Sequence, residues 1–214
     1  MDKQLAERIA EDLLVIDAVS LRPANPFTWT SGMKSPIYCD NRLTLSYPDV
    51  RKRIANGLTS LVRTQFPEAN VIAGTATAGI PHAALVSERL HLSMVYVRSS
   101  AKSHGKGNQI EGRMNEGDQV VVIEDLISTG GSVINAANAL RKEGANVLGV
   151  AAIFSYELEK GKQRLREAQL NVHTLTNFDT LLDVAVNAGH ISGQEQEMIQ
   201  KWRAEPDSVE WLKH

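Results

Sequence analysis

Residues 120–132 have the sequence Val120-Val121-Val122-Ile123-Glu124-Asp125-Leu126-Ile127-Ser128-Thr129-Gly130-Gly131-Ser132. The four apolar residues at its start predict a strand that is buried on both faces. The strand is predicted to end at the two carboxylates, and a loop of small residues then leads into a helix. An acidic pair at the end of such a strand lies near the carboxyl edge of a parallel sheet, where open α/β folds bind their ligands.

The loop that follows the acidic pair has the chemistry of a phosphate-binding site. Its glycines let the backbone curl tightly, so that N–H groups, the positive end of the next helix and the hydroxyls of Ser128, Thr129 and Ser132 can converge on one anion. Glu124 and Asp125 would repel a phosphate, so they are better suited to accept hydrogen bonds from sugar hydroxyls. A ribose phosphate would fit both parts, with its phosphate in the loop and its sugar hydroxyls on the carboxylates. On turn chemistry alone, a plain strand-to-helix turn remains the alternative.

The composition indicates an ordinary globular protein with a single domain, residues 1–214. The chain is 43% hydrophobic and 22% charged, with a net charge of −2, which offers no basic field for a nucleic-acid backbone. No run of about 18 apolar residues predicts a membrane span. Cys39 is the only cysteine, so an intrachain disulfide or a thiolate metal cluster is excluded. Because the N-terminus is amphipathic and unlike a signal peptide, we expect a cytoplasmic protein that binds small molecules.

Helical and strand spacings of apolar residues alternate along most of the chain. We predict strands at 71–73, 94–97, 120–123, 147–154 and 172–175, and helices at about 3–19, 48–63, 133–144, 161–168 and 178–188, with a further helix starting at a capping box at Ser192. This alternation predicts an α/β fold with a central, mostly parallel sheet flanked by helices. Trp202 and Trp211 are expected to anchor the C-terminal tail to the body of the protein or to a partner.

Residues 120–132 closely resemble the signature of the type I phosphoribosyltransferases, which bind 5-phosphoribosyl 1-diphosphate (PRPP). The resemblance implies the type I phosphoribosyltransferase fold, with Glu124 and Asp125 on the ribose hydroxyls. It implies a PRPP site that comprises Glu124, Asp125, Leu126, Ile127, Ser128, Thr129, Gly130, Gly131 and Ser132. A second turn, Gly74-x-x-x-x-Gly79-Ile80-Pro81, fits the family's diphosphate loop. Ala78 stands there where many members carry a lysine, which leaves backbone N–H groups as the expected contacts.

The pattern F-x-x-x-S-G-x-x-S-P-x-Y-x-D, residues 27–40, is similar to part of the N-terminal hood of the orotate phosphoribosyltransferases. We call it the hood segment. The resemblance implies a small hood formed by about residues 1–45, to which the C-terminal helices could contribute, and it makes Phe27 and Tyr38 candidates for the wall around the base. On the sequence alone the segment could also be a plain hairpin, and Tyr38 could equally be a core residue. Thr30 stands where some members have a lysine.

A polar segment at residues 98–112, which we call the basic loop, carries Arg98, Lys102, His104 and Lys106 within nine residues. Such a loop can fold over a polyanion and exclude water, although a solvated hairpin can have the same composition. Its pattern R-x-x-x-K-x-H-G closely resembles the catalytic loop of the orotate phosphoribosyltransferases. The resemblance implies that Arg98 and Lys102 neutralise the diphosphate of PRPP and that His104 donates to it. Ser99 departs from members with a lysine at that position.

Together the four segments imply transfer of a phosphoribosyl group from PRPP to orotate, a step of de novo pyrimidine (UMP) biosynthesis. The resemblance makes Lys102, His104 and Asp125 the catalytic residues and places Ser128 against orotate. It also implies Mg²⁺ held mainly by PRPP, with no metal ligand set of the protein, and a homodimer with shared active sites, without nucleic-acid or membrane partners.

Two alternatives remain open. A purine-type phosphoribosyltransferase would share residues 120–132 but would have no reason to carry the hood segment or the basic loop. A non-catalytic PRPP-sensing regulator would need a surface that binds nucleic acid, and no helix-turn-helix or basic stripe is evident.

Overall fold

A computed structural model describes residues 2–29, 32–100 and 109–212. The strands in these ranges are β1 (Val19–Leu21), β2 (Phe27–Thr28), β3 (Lys34–Ser35), β4 (Ile37–Cys39), β5 (Val71–Thr75), β6 (Ser93–Val97), β7 (Ile110–Glu111), β8 (Gln119–Ile127), β9 (Asn146–Ser155) and β10 (Val172–Asn177). Six of them form the central sheet, in the order β10-β9-β8-β5-β6-β7. All neighbours in this sheet are parallel except β6 and β7. The predicted mostly parallel sheet is therefore confirmed.

Helices cover both faces of this sheet. They are α1 (Lys3–Val15), α2 (Pro48–Gln65), α3 (Gly79–Leu90), α4 (Gly131–Lys142), α5 (Glu159–Glu167), α6 (Phe178–Asn187) and α7 (Gly193–Ala204), with 3₁₀ helices at Asn41–Ser46 and Glu210–Leu212. Successive strand residues point to opposite faces, so Val121 and Ile123 join the apolar cluster with α1, α2 and α6, whereas Val120 and Val122 join the cluster with α4. The prediction that residues 120–123, now part of β8, are buried on both faces of the sheet is confirmed.

The observed element ends differ from the predicted ones where distant strands pair. The first helix ends at Val15 and does not continue to residue 19, because Asp17 adopts a positive φ of 58° and Val19–Leu21 pairs with β4. The expectation that the central strand ends at the carboxylates is also wrong. β8 continues to Ile127 because β9 pairs beside it through Leu126 and Ile127.

The N-terminal strands form two small sheets outside the central one. β2 pairs antiparallel with β3, so the hood segment does contain a hairpin. The run Ile37–Cys39, which was expected as the second strand of this hairpin, is wrong in that role, because as β4 it pairs antiparallel with β1. Trp202, which is fully buried, donates from Nε1 to the carbonyl of Lys34 at 3.0 Å. The C-terminal helix is therefore attached to the hood segment. None of the helices in the described ranges combines the length and the apolarity needed to span a membrane.

Candidate active site

The carboxyl ends of β5, β6 and β8 lie side by side at one edge of the central sheet. Gly74 is paired with Ile123 in β8, and Thr75 is paired with Val97 in β6. Thr75 Oγ1 also donates to the Ile123 carbonyl at 3.1 Å. This pairing brings the predicted diphosphate loop, the acidic pair and the start of the basic loop to the same edge.

Gly79 shows how closely the diphosphate loop packs against β8. A Cβ atom at this position would collide with the Ile123 carbonyl oxygen and with Thr75 Oγ1. Only glycine therefore allows the first turn of α3 to approach the end of β8 so closely. The substitution of any other residue would move the loop away from the acidic pair.

The two carboxylates of the acidic pair have different surroundings. Glu124 is 5% exposed, and its Oε1 accepts a hydrogen bond from the backbone N–H of Asp125 at 3.0 Å. Burial, together with the hydrogen bond and charge of Asp125, raises the pKa of Glu124 to about 8. Asp125 is half-buried and lies closer to solvent. A protonated Glu124 can donate to a hydroxyl of a sugar as well as accept from one.

The residues after β8 form the predicted loop and helix N-terminus. Gly130 adopts a positive φ of 75° at the N-cap of α4, and no side chain caps this helix end. Arg164 lies beside the loop and donates from Nη1 to the Thr129 carbonyl at 3.2 Å. The uncapped N–H groups, the hydroxyls of Ser128 and Ser132 and a nearby guanidinium are the groups that suit an anion.

The described ends of the basic loop leave from the same sheet edge. Arg98 directly follows β6, its N–H donates to the Gln109 carbonyl at 2.9 Å, and its Nη1 lies 3.5 Å from Glu111 Oε1. Asn135 of α4 donates from Nδ2 to the Ser99 carbonyl at 3.0 Å. The predicted residues Lys102 and His104 lie outside the described residues, as do Lys106 and Thr30.

Asn41, the residue that follows the hood segment, contacts the acidic pair. The rings of Phe27 and Tyr38 have centroids 5.5 Å apart, and Tyr38 is 45% exposed, so the alternative that Tyr38 is a core residue is wrong. Asn41 donates from Nδ2 to the Asp125 carbonyl at 2.7 Å. The two aromatic residues proposed for the base wall are therefore connected to the acidic pair through β4 and the start of the 3₁₀ helix.

Two residues near this edge were missed by the sequence analysis. Asn41 stands in a polar run, Asp40-Asn41-Arg42, that predicts only a turn. His82 of α3 is fully buried, neither of its ring nitrogens has a hydrogen-bond partner, and burial lowers its pKa to about 4. No pattern in the sequence distinguishes either residue from an ordinary loop or helix residue. Within the described residues, no group of three or more His, Cys, Asp or Glu side chains could hold a metal ion.

Comparisons with known proteins show which family the chain resembles. The family model of the phosphoribosyl transferase domain matches residues 46–187. The orotate phosphoribosyltransferase of Halalkalibacterium halodurans is 61% identical over 97% of this chain and 99% of its own length. That of Bacillus subtilis is 56% identical over 98% of this chain and 97% of its own length. The crystal structure of orotate phosphoribosyltransferase from Aeropyrum pernix is similar with a TM-score of 0.73 and 27% identity, over 86% of this chain and 99% of that one.

Proposed function

Because the chain belongs to the orotate phosphoribosyltransferases of the phosphoribosyltransferase family, we propose that it transfers the 5-phosphoribosyl group of PRPP to orotate. The products are orotidine 5′-monophosphate and diphosphate, and the reaction is a step of de novo pyrimidine (UMP) biosynthesis. The observation that carries this proposal is the identity of 61% with a curated relative over 97% of the chain.

The hood segment favours orotate over a purine base. The family model begins at residue 46 and therefore leaves out residues 27–40, whereas the similarity to the orotate enzymes extends over nearly the full chain. The hydrogen bond from Asn41, which follows this segment, to the Asp125 carbonyl supports a position of the segment beside the acidic pair. A base that stacks near Phe27 and Tyr38, with Ser128 at its edge, would then lie next to the ribose. These three residues form the proposed orotate site.

The ribose 5-phosphate half of PRPP fits the edge formed by β8 and α4. We assign the ribose hydroxyls to Glu124 and Asp125, whose carboxyl groups can donate and accept. The 5′-phosphate belongs to the Ser128–Ser132 loop, where the N-terminus of α4 has no side-chain cap. This arrangement fixes both ends of the sugar and holds its anomeric carbon toward the hood segment.

The diphosphate half belongs to the basic loop and to the Gly74–Gly79 turn. Negative charge develops on the diphosphate and positive charge on the ribose ring as the bond between them breaks. Fixed cations and N–H donors in a site without bulk water stabilise that separation of charge. Arg98 and Lys102 supply positive charge, and His104 donates a hydrogen bond to the leaving oxygen. Backbone N–H groups of the turn donate further hydrogen bonds to the diphosphate.

Magnesium fits the donor chemistry of this edge, where the available groups are carboxylate and hydroxyl oxygens. We propose that Mg²⁺ would be held mainly by PRPP, beside the carboxyl groups of Glu124 and Asp125, and that it would supply positive charge next to the diphosphate.

The assembly and location are part of the same proposal. We infer a homodimer with shared active sites from the family resemblance and from the basic loop, whose described ends leave the sheet at an edge. A single domain with a hood of about residues 1–45 is likewise proposed, and the hydrogen bond from Trp202 to Lys34 supports a contribution of the C-terminal helices to the hood. The proposed location is the cytoplasm, with no nucleic-acid or membrane partner.

Product analysis tests the proposed reaction. The protein is mixed with orotate, PRPP and Mg²⁺, and the nucleotide and diphosphate formed are measured by chromatography. We expect orotidine 5′-monophosphate and diphosphate in equal amounts, with loss of the reaction when a chelator removes Mg²⁺. Asp125→Asn serves as the control for a contaminating activity. Diphosphate without the nucleotide, or nucleotide formed equally by Asp125→Asn, would contradict the proposal.

A further inference from the structure

Asn41 is a buried polar residue that joins the hood segment to the acidic pair. It is 1% exposed and starts the 3₁₀ helix Asn41–Ser46. Its Oδ1 accepts a hydrogen bond from Cys39 Sγ at 3.2 Å, and its Nδ2 donates to the Asp125 carbonyl at 2.7 Å. Burial, with the nearby charges of Asp125 and Asp40, raises the pKa of Cys39, so the thiol keeps its proton and remains a donor. The amide is therefore held in one orientation, with Nδ2 toward Asp125.

The backbone of Asp125 is held by side chains at both of its polar groups. Its N–H donates to Glu124 Oε1, and its carbonyl accepts from Asn41 Nδ2. The pairing of β5 with β8 ends at Gly74 and Ile123, so Asp125 lies two residues beyond the last pair. Asn41 thus stabilises the end of β8, beyond the residues that pair with β5. A buried carbonyl that loses such a donor becomes unsatisfied and favours a rearranged backbone.

We propose that Asn41 is a positioning residue for PRPP, which acts by fixing the backbone of Asp125 so that the carboxylate faces the ribose hydroxyls. This inference rests on the proposed function, since it takes Asp125 to be a ribose ligand. Asn41 does not itself need to touch the substrate. Because Asn41 follows β4, which carries Tyr38, the same side chain also sets the distance between the proposed base wall and the ribose site.

The test compares PRPP binding by two variants that each lose one hydrogen bond from a buried side chain to a backbone carbonyl. Asn41→Ala removes the donor to Asp125. Thr59→Ala is the matched control, because Thr59 is buried in α2 and its Oγ1 donates to the Ala55 carbonyl at 2.7 Å, within that helix. The Kd for PRPP is measured by calorimetry with Mg²⁺ and without orotate, and the Tm of each variant is recorded.

We expect Asn41→Ala to raise the Kd for PRPP by about 5- to 100-fold, the range that follows from the loss of one buried donor. Thr59→Ala should leave the Kd unchanged, whatever its effect on Tm. If Asn41→Ala does not fold, Asn41→Asp, which has nearly the same shape but lacks the N–H₂ donor, should show at least the same loss of affinity. A folded Asn41 variant with the Kd of the unmodified protein, or an equal rise in Kd for Thr59→Ala, would overturn the inference.

The same measurements separate this inference from the proposed function. If the unmodified protein binds PRPP but does not convert orotate, the proposed function fails, and the effect of Asn41→Ala on the Kd still decides the role of Asn41. If orotate is converted and the Kd is insensitive to Asn41→Ala, the function stands and the positioning role is rejected.

Discussion

At the scale of single residues, Glu124 and Asp125 show how one sequence motif can contain two different groups. Adjacent positions in a strand face opposite sides, so Glu124 points toward the interior, where it is 5% exposed, and Asp125 stays closer to solvent. The sequence predicts that both carboxyl groups lie at the sheet edge. It does not predict that one of them is buried, because that depends on the approach of Thr75 and α3, which are distant in sequence.

Glu124→Gln should remove a loss of stability that the unmodified protein undergoes as pH rises. A carboxyl group with an ordinary pKa of 4.5 in the unfolded chain and about 8 in the folded protein keeps a proton on folding between these two values. Its contribution to stability is present below the unfolded pKa and is lost as pH rises through the folded pKa, at up to about 1.4 kcal/mol per pH unit. Glutamine is neutral throughout and has no such loss.

The free energy of unfolding in urea, measured for both proteins without PRPP from about pH 5 to about pH 8, tests this. Titrating groups that do not interact with Glu124 cancel in the difference between the two proteins. Glu124→Gln should become more stable relative to the unmodified protein as pH rises. Parallel profiles would show that Glu124 titrates at its ordinary pKa.

At the scale of elements, the spacing of apolar residues predicted the existence and type of the main strands and helices but not their ends. The predicted helix extended past Val15 because Ile16 continues the helical spacing of apolar residues. In the structure the helix ends at Val15, and Val19 pairs with Cys39 in a small sheet. A hairpin in the hood segment was predicted from local turn signals, but its second strand is Lys34–Ser35 and not the expected Ile37–Cys39, which pairs with β1. Trp202 was expected to anchor the C-terminal tail, but its partner, the carbonyl of Lys34, could not be predicted because the two residues are 168 positions apart.

Trp202→Phe should weaken the binding of orotate more than that of PRPP. The substitution keeps an aromatic ring between Trp29 and Phe178 but removes the Nε1–H that binds the Lys34 carbonyl. Since the hood segment is the proposed base wall, its loosening should raise KM for orotate several-fold, and the stability should fall by about 1 kcal/mol.

Steady-state kinetics with each substrate varied in turn, together with urea unfolding, measures both effects. Trp211→Phe is the matched control, because Trp211 is also buried but donates locally to the Ser208 carbonyl at 3.0 Å. The proposed role of Trp202 would be wrong if the two variants changed KM for orotate equally, or if Trp202→Phe raised KM for PRPP instead.

At the scale of the whole molecule, the central question is whether one chain contains a complete site. The sheet edge brings together the acidic pair, the Ser128–Ser132 loop and Arg98 within a single chain. Lys102 and His104 lie outside the described residues, so their placement stays a prediction. A long polar loop can extend beyond its own subunit without burying apolar surface. The proposed homodimer therefore places the basic loop of one subunit over the PRPP site of the other.

Subunit exchange between two inactive variants tests this arrangement. Lys102→Ala damages the basic loop, and Asp125→Asn damages the ribose site. If the site is shared, each mixed dimer has one site with both lesions and one with neither. Random pairing makes about half of the dimers mixed, so activity should recover to roughly a quarter of the unmodified level per total site. Recovery no greater than the sum of the separate variants, with exchange confirmed by mass spectrometry of tagged subunits, would reject shared sites.

A competition between bases tests the central claim most directly. Orotate, uracil, hypoxanthine and adenine are supplied together at equal concentration with PRPP and Mg²⁺, and the consumption of each base is followed by chromatography. The ratio of consumption rates gives the ratio of kcat/KM values. We predict that orotate alone is consumed, because the hood segment and the basic loop both match the orotate enzymes. Consumption of a purine with orotate left unchanged would contradict the assignment.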